Sequence, residues 1–71
     1  MGRYDGFREF VEDSGPALSR TAYLLCGDRQ HAEDLLQTAL ARTVARWPQV
    51  RQGGYPAAYV RRVMVNERTS R

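Results

Sequence analysis

The sequence predicts an all-α protein, a compact bundle of three or four helices. The strongest sign is the stretch from Asp28 to Trp47. Its apolar and small residues fall at Ala32, Leu35, Leu36, Ala39, Leu40, Thr43, Val44 and Trp47. That spacing repeats one helical face over about four turns. The second sign is punctuation: Gly15-Pro16, Gly27, Pro48 and Gly53-Gly54-Tyr55-Pro56 divide the chain into segments of helical length. The third is that no segment alternates apolar and polar residues as a half-buried strand would, and no internal repeat is present.

Size and composition bound what such a bundle can be. A chain of 71 residues makes one small domain. It buries only about 60% of its unfolded surface, so its stability is thin. An apolar content of 42% suits a folded domain. No apolar run approaches the roughly 20 residues that span a bilayer, and no segment has signal-peptide anatomy. Cys26 is the only cysteine, which excludes an internal disulfide, and at the end of Ala22-Tyr23-Leu24-Leu25 it reads as a buried, inert thiol. These features predict a soluble cytoplasmic domain.

The first helix is expected over residues 4 to 13, where Phe7, Phe10 and Val11 form an i, i+3, i+4 triplet. Ser14-Gly15-Pro16 should interrupt it, with Ser14 capping and Pro16 in the first turn of a second helix, 16 to 26. Leu18, Thr21, Ala22 and Leu25 share a face of that second helix, and Gly27 stops it. Asp28 offers a carboxylate to the free N–H groups that open the central helix, 29 to 47. Pro48 should end the helix, because a proline disfavours helical geometry in the residue before it. A loop from Pro48 to Tyr55 follows, and Pro56 opens a last helix that runs to the end of the chain.

Charge is distributed unevenly. All eleven basic residues are arginine. Residues 1 to 34 hold four Arg against seven acids, a net −3, and residues 35 to 71 hold seven Arg against Glu67 alone, a net +6. A basic C-terminal half points to an anionic partner there, and the forked guanidinium suits phosphate. Genome composition could explain the absence of lysine, though not the asymmetry.

Two surfaces carry the functional reading. On the central helix a polar and small-residue stripe remains outside the apolar face, at Asp34, Gln37, Thr38, Ala41 and Ala45. Another helix could approach it closely. On the last helix Ala57, Val60, Val63, Met64 and Glu67 form the inner side. Tyr59, Arg62, Asn66 and Thr69 form an outer stripe, with Arg61 and Arg68 seven residues apart on the opposite boundary. An aromatic to stack, an amide to read base edges, and Arg and Thr for phosphates are what a nucleic-acid surface requires. The same pattern also fits an ordinary solvated face. The preceding loop, with Trp47, Val50, Tyr55, Arg46, Arg51 and its glycines, could hold an unstacked base. It could equally be a plain connection with Trp47 in the core, the role its position on the apolar stripe favours.

No catalytic or metal-binding set is evident. His31 is the only histidine, no two ligands share metal spacing, and Gly53-Gly54 lacks the Gly-Lys-Ser/Thr of a phosphate loop. Glu33 and Asp34 point about 100° apart and suit the helix N-terminus. No enzyme activity, cofactor or metal is expected.

Taken together, Gly27-Asp28, Ala32-Glu33-Asp34-Leu35-Leu36-Gln37, Trp47, Pro56-Ala57-Ala58-Tyr59-Val60-Arg61-Arg62-Val63 and Asn66 resemble the region-two domain of bacterial sigma factors. The likeness is to the extracytoplasmic-function (group IV) class in its actinobacterial style, over about residues 5 to 71. It implies docking of Asp34, Gln37, Thr38 and Ala41 on the beta-prime clamp helices of core RNA polymerase. It also implies recognition and melting of the promoter minus-ten element, with a flipped non-template base captured by the loop that holds Val50, Arg51 and Tyr55. Tyr59, Arg62 and Asn66 would face that strand, with Asn66 reading a base and Arg61, Arg68 and Arg71 on phosphates. An anti-sigma factor is a further partner so implied. Thr38 stands where the family often has Glu, which alters one polymerase contact. The family continues into a region-four helix-turn-helix, so a fragment of a longer protein is expected. A helical regulator of duplex DNA and a pure helical interaction module are the alternatives.

Overall fold

A computed structural model describes residues 2–69, which form four helices: α1 (Phe7–Cys26), α2 (Arg29–Ala45), α3 (Trp47–Gly53) and α4 (Pro56–Thr69). The all-α class is as predicted, but two boundaries differ, and both turn on a proline.

The expected break at Ser14-Gly15-Pro16 is absent, because α1 runs unbroken for 20 residues with Pro16 inside it. The reason is register. Phe7, Phe10, Val11, Leu18, Ala22 and Leu25 all pack on one core, so the two short segments are one continuous face. Pro16 lies about 160° around the helix from Leu18 and is exposed. There it forfeits one N–H bond and sets its ring against the Glu12 carbonyl, and burial of Phe10 and Leu18 on either side offsets that cost. Gly27 ends the helix as expected, in the left-handed region at φ 71°, with its N–H donating to the Tyr23 carbonyl at 2.7 Å.

Asp28 opens α2 as expected. Its Oδ2 accepts the His31 N–H at 3.1 Å and lies 2.6 Å from the ring Nδ1. The backbone donor and then the ring hold the Asp28 carboxyl below the usual aspartate range. The far end departs from expectation. The helix stops at Ala45, Arg46 leaves helical geometry (φ −118°, ψ 24°), and Trp47 starts α3. The predicted loop from Pro48 is therefore mostly helix. Had α2 continued, the Pro48 ring would have met the Val44 carbonyl and left it without a donor. A break at Arg46 puts Pro48 in a first turn, where a missing N–H costs nothing.

The core joins Phe10, Leu18 and Ala22 of α1 to Ala32, Leu35 and Ala39 of α2, with Trp47, Val50, Val60 and Met64 from α3 and α4. Alanines at 22, 32 and 39 let the helix backbones approach closely. Thr43 is fully buried, and its hydroxyl donates to the Ala39 carbonyl at 2.7 Å. The inward line of α2 is narrower than the sequence suggests: Leu36, Leu40 and Val44 are only half-buried at its edge. Cys26 is also half-buried rather than buried. Arg42 of α2 pairs with Glu67 of α4 at 3.2 Å.

Because Pro16 contributes no buried contact, Pro16→Ala should restore one backbone bond. It should stabilise the domain by about 1–2 kcal/mol, after subtracting the unfolded-state entropy that proline removes. Thermal melts followed by circular dichroism check this; an unchanged or lower Tm contradicts the claim that the proline is merely tolerated.

Candidate nucleic-acid and partner interface

The short α3 and the start of α4 meet at a corner made by Gly54 and Tyr55. Gly54 caps α3 at φ 85°, a conformation that favours glycine, and its N–H donates to the Arg51 carbonyl at 3.1 Å. This corner opens a groove of about 730 Å³ between α3 and α4. Buried Val50 and half-buried Tyr59 form its apolar base, and Tyr55, 78% exposed, forms one wall. Arg46 and Arg62 bring guanidiniums to it, with Gln49, Gly53 and Ala58 completing the lining. None of these lining residues is acidic, and neither arginine makes an ion pair among the described residues. Two cations, two phenol rings and an amide around an apolar base match the chemistry that holds an unstacked base and its phosphates.

The residues expected at the nucleic acid are only partly brought together. Val50, Tyr55, Tyr59 and Arg62 share the groove. Asn66 is exposed, one turn beyond Arg62 on α4. Arg61 lies on the other side of α4, in an adjacent hollow with Tyr55, Phe10 and Ser14. Arg68 is farther away, beside Cys26, His31, Asp34 and Thr38. Arg51 is absent from the groove lining, and its Nη1 donates to the Asp5 carbonyl at 3.1 Å. The Thr69 hydroxyl folds back onto the Val65 and Asn66 carbonyls. Arg71 lies outside the described residues. Gln49 had no sequence signal, since its place in the groove depends on the helical turn that replaces the expected loop.

The α2 stripe forms a crest between two hollows. Asp34, Gln37 and Ala41 are exposed and Thr38 is half-buried. Gln37 and Ala41 border an apolar hollow with Leu36, Leu40, Val44 and Phe7. Asp34 and Thr38 border a polar one with His31, Glu67 and Arg68. A helical rise of about 1.5 Å per residue puts Asp34 roughly 18 Å and Ala41 roughly 8 Å along the axis from Arg46, so the groove lies beyond the C-terminal end of the crest. Among the described residues, no group of three His, Cys, Asp or Glu side chains is placed to hold a metal ion, and no helix is long and apolar enough to cross a membrane.

Comparison with known proteins gives these surfaces a context. Residues 10–71 match the Sigma-70 region 2 family. The chain is 48% identical over 69 residues to the RNA polymerase sigma-E factor of Streptomyces coelicolor, covering 97% of this chain and 39% of that protein. It is 49% identical over 63 residues to the protein of the same name from Streptomyces antibioticus, covering 89% of this chain and 35% of the relative. The chain thus spans about two fifths of the length of the curated relatives it matches. No solved structure matches it. A match over most of the chain, on the helices that carry the groove and the crest, shows that this protein belongs to the Sigma-70 region 2 family.

Proposed function

We propose that this chain is the promoter-recognition and polymerase-docking domain of a group IV alternative sigma factor. The observation that carries this reading is the acid-free α3–α4 groove of a member of the Sigma-70 region 2 family, with Tyr55 exposed and with Arg46 and Arg62 in no ion pair among the described residues. In this reading the groove and the outer side of α4 take the melted non-template strand of the minus-ten element. Arg46, Arg61 and Arg62 neutralise phosphates. Tyr55 and Tyr59 offer ring faces to an unstacked base, and the Asn66 amide reads a base edge. Strand opening costs a few kcal/mol per base step, and stacking on the rings at about 1–3 kcal/mol per base offsets it. No chemical step is involved. The action is binding, in the cytoplasm where transcription takes place.

The α2 crest takes the polymerase. Asp34 and Gln37 supply polar contacts, Ala41 allows a helix to approach, and the half-buried Leu36, Leu40 and Val44 supply apolar surface beside them. The partner proposed is the beta-prime clamp helices of core RNA polymerase. Arg68, beside Asp34, belongs with this side and not with the strand. A protein of the anti-sigma class would silence the domain by covering either surface.

Asp34→Ala combined with Gln37→Ala should weaken capture of core polymerase by roughly tenfold, with helicity unchanged. Undiminished retention of beta-prime by the double variant would remove the docking assignment. On the strand side, Asn66→Ala should reduce discrimination among minus-ten sequences. Arg62→Ala should weaken binding to every sequence and lower the salt slope by about 0.7. Equal loss of specificity in both variants would refute the division between base reading and phosphate contact.

A further inference from the structure

Residues 2–6 form a folded turn before α1. The Gly2 N–H donates to Asp5 Oδ2 at 2.9 Å, the Asp5 N–H to the Gly2 carbonyl at 3.2 Å, and the Phe7 N–H to the Tyr4 carbonyl at 3.1 Å. Gly6 then turns the chain at φ 84° into α1. This turn is bonded on both sides of the break at Arg46. Arg3 Nη2 donates to the carbonyl of Ala45, the last residue of α2, at 3.0 Å. The Asp5 carbonyl accepts two donors from α3, the Trp47 indole N–H at 2.7 Å and Arg51 Nη1 at 3.1 Å.

The helix so held is only seven residues long. A helix of that length is unstable alone, so its partners set its position. Trp47 and Val50 give it an apolar anchor, and the main-chain carbonyl of Asp5, accepting from the Trp47 and Arg51 side chains, gives it a polar one. The same two turns carry Gln49, Val50 and Gly53, one side of the α3–α4 groove. A shift of α3 would therefore change the width of the groove.

We infer that Arg51 is a positioning residue. With Trp47 it fastens α3 to the main-chain carbonyl of Asp5 and so sets the wall of the strand groove, and it does not neutralise a phosphate. This rests on the strand-binding reading of that groove. The anchor is a main-chain atom, so the identity of the residue at position 5 matters little, whereas the two donors are specific.

Trp47 is the only tryptophan, so its emission reports directly on this junction. Arg51→Met keeps the aliphatic stem and removes both charge and donor, and at an exposed position it should leave the fold intact. The experiment measures binding of a mixed-sequence pool of short single-stranded DNA across a salt series, for the full chain, Arg51→Met and Arg62→Met, with Trp47 emission recorded for each. Arg51→Met should bind about threefold to tenfold more weakly, the effect of losing one hydrogen bond. Its salt slope should be unchanged and its Trp47 emission red-shifted. Arg62→Met should lower the slope by about 0.7 with emission unchanged. A lowered slope in Arg51→Met, or unaltered binding or emission, overturns the inference. If Arg62→Met also leaves strand binding unaltered, it is the groove reading that fails, and the emission of Arg51→Met still decides whether Arg51 anchors α3.

Discussion

The indole of Trp47 stands edge-on to Phe7 with centroids 5.1 Å apart, lies 5.4 Å from Phe10, and donates its N–H to the Asp5 carbonyl. The rest of the structure depends on that seat. It joins the start of α1 to the start of α3, 40 residues later in the chain, and leaves the indole only 2% exposed. In a domain this small, one buried tryptophan with its N–H satisfied is a large share of the stabilisation, since truncating such a side chain typically costs about 3–5 kcal/mol. The adjacent Pro48 makes the seat reachable. By excluding a continuous α2 it forces the turn at Arg46, and the turn swings Trp47 inward while leaving Arg46 at the rim of the groove.

From that junction the two proposed surfaces follow as parts of one frame. α2 is a spacer with the proposed docking crest along its length and the α3–α4 groove beyond its C-terminal end. α4 closes the bundle with Val60 and Met64 and turns Tyr59 and Arg62 toward the groove. The Arg42–Glu67 pair ties the two helices between these regions. Glu67, the single acid of the C-terminal half, is thereby kept away from the groove, which stays free of acidic side chains.

Much of this was legible in the sequence, and the reasons differ by element. The α2 register, the Asp28 cap and the Gly27 stop rest on local chemistry that tertiary packing had no cause to override. The prolines show the limit. Pro16 and Pro48 both read as helix breaks, yet only Pro48 is one, because Pro16 falls on the exposed side of a face continuous from Phe7 to Leu25. Tyr59 and Arg62 were found because they share a helical stripe. Gln49 was missed because its place depends on α3 being helical. Arg51, read as a loop cation, is bonded to a carbonyl 46 positions away, which no local pattern encodes.

In the proposed function the α3–α4 groove takes an unstacked strand and not a duplex. Competition between a single strand and a duplex of the same length and sequence, at one fixed salt concentration, tests it most directly. If Tyr55 and Tyr59 stack a base, the single strand should bind about tenfold more tightly. Tighter binding of the duplex would instead make this a helical regulator of double-stranded DNA. Failure of both to bind would leave a protein-interaction module, and either result contradicts the claim.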